Sequence, residues 1–250
     1  MSYLHKQRKF GSIKKASLVK DKDLSHLVEF LGITFEVVNF KAKTVDGTII
    51  NFENLEEILA YPNFAKRKLT ELELSCNNEE RSVDIKFKKE NNLVIPETIN
   101  YYLSYNDQNW GFKFEDDLIN ELNDFTPWYN TLTYLEFRFA FPMLIFIATI
   151  LFVGIDYFLK LFGLAGYTDI DLHNTKETSS SWIIGLLWGG ILIIGGEFLN
   201  RLRGYLFPTL FIALGKQSKE FDKRKKITNI VFGVILLGIL INLISEWIAK

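Results

Sequence analysis

The residues best suited to chemistry are aromatic rings set close to cations. Tyr61 and Asn63 stand just ahead of Lys66, Arg67 and Lys68, and Trp110 belongs to a wider aromatic set with Tyr101, Tyr102, Tyr105, Trp128 and Tyr129. Rings that stack and cations that meet phosphates would form a cleft for a nucleotide or short oligonucleotide. Tyr61, Asn63, Lys66, Arg67 and Trp110 are therefore the candidate ligand-binding residues. Core packing accounts for most of these rings equally well, and an acidic domain is a poor general partner for nucleic acid.

Catalytic and metal chemistry find no comparable support. No phosphate-cradling glycine loop, glycine-flanked nucleophilic serine or metal-binding histidine pair occurs in the sequence. Cys76 is the single cysteine, which rules out an intrachain disulfide, and His5, His26 and His173 lie too far apart for ligand spacing. The expectation is a protein that is not an enzyme, with no metal and no cofactor.

A second group of polar residues borders long apolar runs. Asp156, Glu197 and Glu246 sit at run ends and Asn242 lies inside the last run. As a functional set they would line the mouths of a cation-selective pore. As a structural set they would be interface anchors and an interhelical amide bond. Gly185, Gly189 and Gly196 fall on one helical face, where small residues let backbones pack closely, within one chain or between chains.

Three regimes of charge frame these residues. Residues 1–22 hold seven Lys/Arg against one acid, whereas residues 23–137 hold ten against 21 Asp/Glu. Beyond Arg138 the charges thin out. The first regime reads as a basic flexible tail, each cation of which would be drawn to anionic lipid by about 1 kcal/mol. The second, residues 23–135, reads as a cytosolic α+β domain with an antiparallel sheet and helices on one face. Its signals are a helix over Asp23–Leu31, strands over Ile33–Phe40 and Thr48–Phe52 around an Asp46-Gly47 turn, and a short helix begun by Asn54 and Glu57. Alternation at Leu72/Leu74/Cys76, Val83/Ile85/Phe87 and Ile99–Tyr105 predicts three more strands, and Asp116–Phe125 reads as a helix.

The third regime, residues 136–250, reads as an all-α transmembrane domain, since a span needs roughly 20 apolar residues. Uncharged runs of seventeen, nineteen and nineteen residues follow Arg138, Glu177 and Lys226. They predict spans at about 139–162, 180–199 and 227–247. Between the last two, residues 205–214 are too few to cross and read as a short interfacial helix, or as a cytoplasmic extension of the second span. Eight Lys/Arg between Phe198 and Lys226, against one between Leu161 and Ser181, would set the orientation. The first 30 residues also lack the apolar core of a secretory signal. The expected location is the inner (cell) membrane, multi-pass, with the amino terminus cytoplasmic and the carboxyl terminus outside.

Two stretches carry a resemblance. One runs from the Asp46-Gly47 hairpin through Leu55–Tyr61-Pro62-Asn63 and the Arg67/Leu72–Ser75 strand to Pro127-Trp128-Tyr129. The other is Leu206-Phe207-Pro208 with Leu214-Gly215-Lys216. Together they resemble an architecture recurrent in uncharacterised bacterial membrane proteins, and the layout is similar to the membrane effectors of antiphage defence systems of the Hailong type. The resemblance implies a cytosolic sensor domain that gates a small multi-span channel. The functional expectation is thus an oligomeric membrane effector, a ligand-gated ion channel or pore, with the lipid bilayer, copies of itself and a nucleotide or short oligonucleotide as partners. The other expectation is a membrane-anchored scaffold or adaptor whose cytosolic domain recruits a partner protein.

Overall fold

The computed structural model describes residues 6–89, 97–140, 142–143, 147 and 181–248. The chain divides into two compact units, one made of Met1–Tyr134 with Leu206–Lys250, the other of Leu135–Tyr205.

The first unit is built on a six-stranded antiparallel sheet. Its strands are β1 (Gln7–Ile13), β3 (Val38–Thr44), β4 (Ile49–Phe52), β5 (Leu69–Asn77), β6 (Ser82–Lys88) and β7 (Ile99–Tyr105), in the order β1-β7-β6-β5-β3-β4. Alternation decides which face is covered. Leu72, Leu74, Val83, Ile85, Phe87, Ile99 and Leu103 are fully buried, while Lys41, Lys43, Glu71, Glu73 and Lys86 hold the opposite face. Helices α1 (Asp21–Gly32), α2 (Leu55–Ala60) and α3 (Gln108–Asn123) cover the apolar face. Leu24, Leu27 and Leu31 of α1 come down on one side by helical spacing, as do Phe114, Leu118 and Leu122 of α3.

Local sequence sets most of these boundaries. Gly47 takes φ +85 in the β3–β4 turn, the left-handed conformation that a tight hairpin asks of glycine. Asn54 accepts from the Glu57 amide at 2.9 Å, and the Glu57 carboxylate accepts from the Glu53 amide at 2.9 Å, a reciprocal cap that starts α2. Asp107 caps α3 with its side chain alone, accepting from the Asn109 and Trp110 amides, so α3 begins eight residues ahead of the Asp116 start expected from apolar spacing.

The segment read as a flexible basic tail carries two strands. β1 pairs along its whole length with β7, and Gly11 lies beneath the Tyr101 ring, where a Cβ would fall 2.1 Å from it. β2 (Ser17–Lys20) runs parallel to β8 (Leu210–Ala213). The expected interfacial helix over 205–214 is therefore corrected to a strand. β8 sends Ile212 into the main core, followed by Leu214, so its amides satisfy one another with β2 while its side chains are buried.

The transmembrane expectation is corrected as well. Among the described residues, no helix is long and apolar enough to cross a membrane. Both described helices of this half continue past their apolar runs into charged turns. Helix α4 (Ser181–Leu206) extends through Glu197, Arg201 and Arg203, and α5 (Lys216–Ile248) opens with eight charged residues between Lys216 and Lys226. The all-α domain of three spans, the ion-channel reading and the multi-pass inner-membrane location fall together. Most of the first expected span, with Asp156, lies outside the described residues.

In the second unit, Gly196 of α4 is buried against residues 137–138, where an added Cβ would sit 3.0 Å from the Phe137 carbonyl. Asn200 accepts from the Phe137 amide at 2.9 Å, and Arg203 donates to the Leu135 carbonyl.

Candidate functional site: a lysine-lined groove beside an exposed tryptophan

The proposed cleft of Tyr61, Asn63, Lys66, Arg67 and Trp110 does not assemble as one site. Tyr61 and Arg67 do meet: the phenol donates to the Arg67 carbonyl at 3.0 Å, and both residues line a cavity of about 270 Å³ with Thr44, Asp46, Thr48 and Ile50. Hydrogen bonds from Thr44 and the Thr48 amide hold the Asp46 carboxyl below its ordinary range. Lys66 is exposed in the short turn Ala65–Arg67, where its carbonyl accepts from the Asp46 amide at 3.3 Å. Trp110 is spent elsewhere, stacked on Phe114 at 4.6 Å under the Arg81 guanidinium at 4.3 Å.

Asn63 is fully buried with φ 44, a conformation asparagine tolerates better than most residues. Its amide nitrogen donates to the Ile212 and Leu214 carbonyls, each at 3.0 Å, and its oxygen accepts from the Leu69 amide at 2.8 Å. The Lys216 amide donates to the Pro62 carbonyl at 3.3 Å. Asn63 is thus a clasp that fastens β8 and the start of α5 to the sheet.

Of the expected pore residues, Glu197 accepts from Arg138 Nε at 3.1 Å and lies 3.5 Å from Arg201 Nε. A paired carboxylate of this kind serves structure. Asn242 and Glu246 fall within α5, and Gly185 and Gly189 within α4.

A concavity lies where β2, α1, β8 and α5 converge. It encloses about 570 Å³, within the range of small-molecule sites. Lys20, Asp21 and Lys22 enter from the β2–α1 junction, and Trp128 from the segment after α3. Ser218, Phe221, Asp222 and Lys225 enter from α5, spaced at i, i+3, i+4 and i+7 along one helical face. Each part is placed for a physical reason. Lys20 ends β2 and is the residue before α1, so the groove borders the first-turn amides of a twelve-residue helix. Trp128 is 63% exposed, and its edges are fixed by Tyr129 and Phe207 at 5.8 and 6.1 Å.

The electrostatics suit an anion that also carries donors. Lys20, Lys22 and Lys225 make no ion pair among the described residues, and they share the groove lining with the carboxyls of Asp21 and Asp222. Burial pushes the Asp21 carboxyl up from its ordinary value. A planar group would lie against Trp128, phosphates or carboxylates would meet the lysines, and Asp21 and Asp222 would accept from hydroxyl or amino groups. Among the described residues no group of histidine, cysteine and acids is arranged to hold a metal ion.

Local spacing joins the α5 residues to one another but not to Lys20–Lys22, because Lys20 and Lys225 meet only once β8 pairs with β2. The one available signal was Trp128, held between Pro127 and Tyr129 with no helical or strand period to bury it. Comparison with protein-family models, curated proteins and solved structures finds no match.

Proposed function

We propose that this chain is a non-enzymatic, ligand-responsive regulatory protein, whose first unit binds a nucleotide-like anion in the lysine-lined groove and passes its occupancy to α5. One observation carries this reading. The groove is walled jointly by the start of α1 and by one face of the first three turns of α5, so a ligand there touches the sheet-bearing body and the long helix together. A ligand shifts a conformational balance only through contacts that differ between states, and contacts on two elements supply such a difference.

Titration of the full chain with nucleoside mono- and triphosphates and with linear and cyclic dinucleotides, followed by tryptophan fluorescence, tests the proposal. At least one phosphorylated ligand should bind saturably, and its unphosphorylated nucleoside should bind at least tenfold more weakly. Trp128→Leu and Lys225→Gln should each lower affinity by tenfold or more while the folded spectrum is kept. Absence of saturation across the panel, or affinity unchanged by both substitutions, would defeat the proposal.

A further inference from the structure

The geometry points to the free edge of β1 as a docking strand for an extended, acidic segment of a partner protein. β1 closes the sheet on one side and, among the described residues, pairs only with β7. Seven residues at about 3.4 Å each leave an edge roughly 24 Å long, with a row of main-chain donors and acceptors open to a further strand.

Both sides of this edge carry an exposed ring. On the open face Phe10 is 75% exposed and lies 4.7 Å from Tyr102. On the helix face Phe112 of α3 is 48% exposed, with Lys9 Nζ 5.8 Å from its ring centre. Side chains of an added strand alternate between the faces. One set would fall on Phe10 and Tyr102, the other toward Phe112. Main-chain hydrogen bonds would give affinity and the two apolar seats would select side chains.

Charge decides what kind of strand fits. Lys6 and Arg8 make no ion pair among the described residues, while Lys9 is held by Glu115. A second copy would bring the same cations against themselves, whereas an acidic segment is attracted. Lysine on an edge strand ordinarily deters pairing. Deterrence alone does not call for exposed rings on both faces, and that combination favours a receiving edge.

The probe is an eight-residue peptide of valine and glutamate in alternating pairs, so that each face carries both, titrated against the full chain by fluorescence anisotropy. It should bind saturably, and Arg8→Glu should weaken it at least tenfold without changing the melting temperature. N-methylation of alternate peptide amides should abolish binding in one register and spare it in the other, a comparison that leaves the protein unaltered. A valine–lysine peptide should not bind. Equal binding of both N-methylated registers, equal binding of the basic peptide, or no saturation would overturn the inference. So would a concentration-dependent dimer dispersed by Phe10→Asp, which would give the edge to a second copy.

Discussion

Glu115 shows how a single buried charge is made tolerable here. It is 6% exposed beneath the sheet, yet one oxygen accepts from the Tyr101 hydroxyl at 2.8 Å and the other lies 2.5 Å from Lys9 Nζ. A buried carboxylate must be paired and hydrogen-bonded, and this one is both. The hydrogen bond to Glu115 raises the Lys9 pKa, and burial followed by Glu115 raises that of Tyr101. Both groups therefore fold in their protonated forms. Their contribution is fully present below the ordinary values of 10.5 and 10.0 and is lost as pH climbs beyond them. Denaturant unfolding at stepped pH should show stability falling steeply above about pH 10, and Lys9→Met with Tyr101→Phe should flatten that fall. An unchanged alkaline slope in the double variant would contradict the assignment. Little at this scale could be read beforehand. Asn63 has the residue type of a ligand-binding group, but two of its three partners lie about 150 positions away, at Ile212 and Leu214.

Elements were legible where a local pattern coincided with burial. The hairpin at Asp46-Gly47, the Asn54 cap and the alternation of β5, β6 and β7 all rest on neighbours within a few residues, and the antiparallel sheet with helices follows from them. β1 escaped because an edge strand beside a glycine shows a weak period: only Ile13 is fully covered, and the Tyr101 ring takes the space over Gly11. β8 escaped because its apolar run is equally compatible with a short helix, and only pairing with distant β2 selects the strand. The apolar runs of the carboxyl-terminal half suggested spans from hydropathy alone, and both described helices there continue beyond those runs into strongly charged turns.

The clasp between Asn63 and β8 yields a prediction at the same scale. Asn63→Ala removes three buried hydrogen bonds and places alanine at a left-handed φ, which should cost roughly 3 kcal/mol. Gly215→Ala should also destabilise, because φ is +55 and a Cβ would sit 2.3 Å from the Tyr61 carbonyl. Thermal melts check both, and limited proteolysis should then cut near residues 206–216 first. Wild-type stability in both variants would mean that β8 is held by its pairing with β2 alone.

Across the whole molecule, the carboxyl-terminal segment is structurally part of the first unit. β8 lies in the main core, α5 leaves from it at Gly215, and the groove forms where the two ends of that unit's chain come together. In that closure the groove and the emerging helix share residues Ser218, Phe221, Asp222 and Lys225. It also explains why the site was not legible, since its lysines belong to opposite ends of the sequence. The most direct measurement is amide hydrogen exchange over residues 216–226 with and without a saturating phosphorylated ligand found by titration. The account predicts slower exchange there and at the start of α1, lost in Trp128→Leu at the same ligand concentration. Protection confined to the Tyr61–Arg67 cavity, with residues 216–226 unaffected, would contradict it.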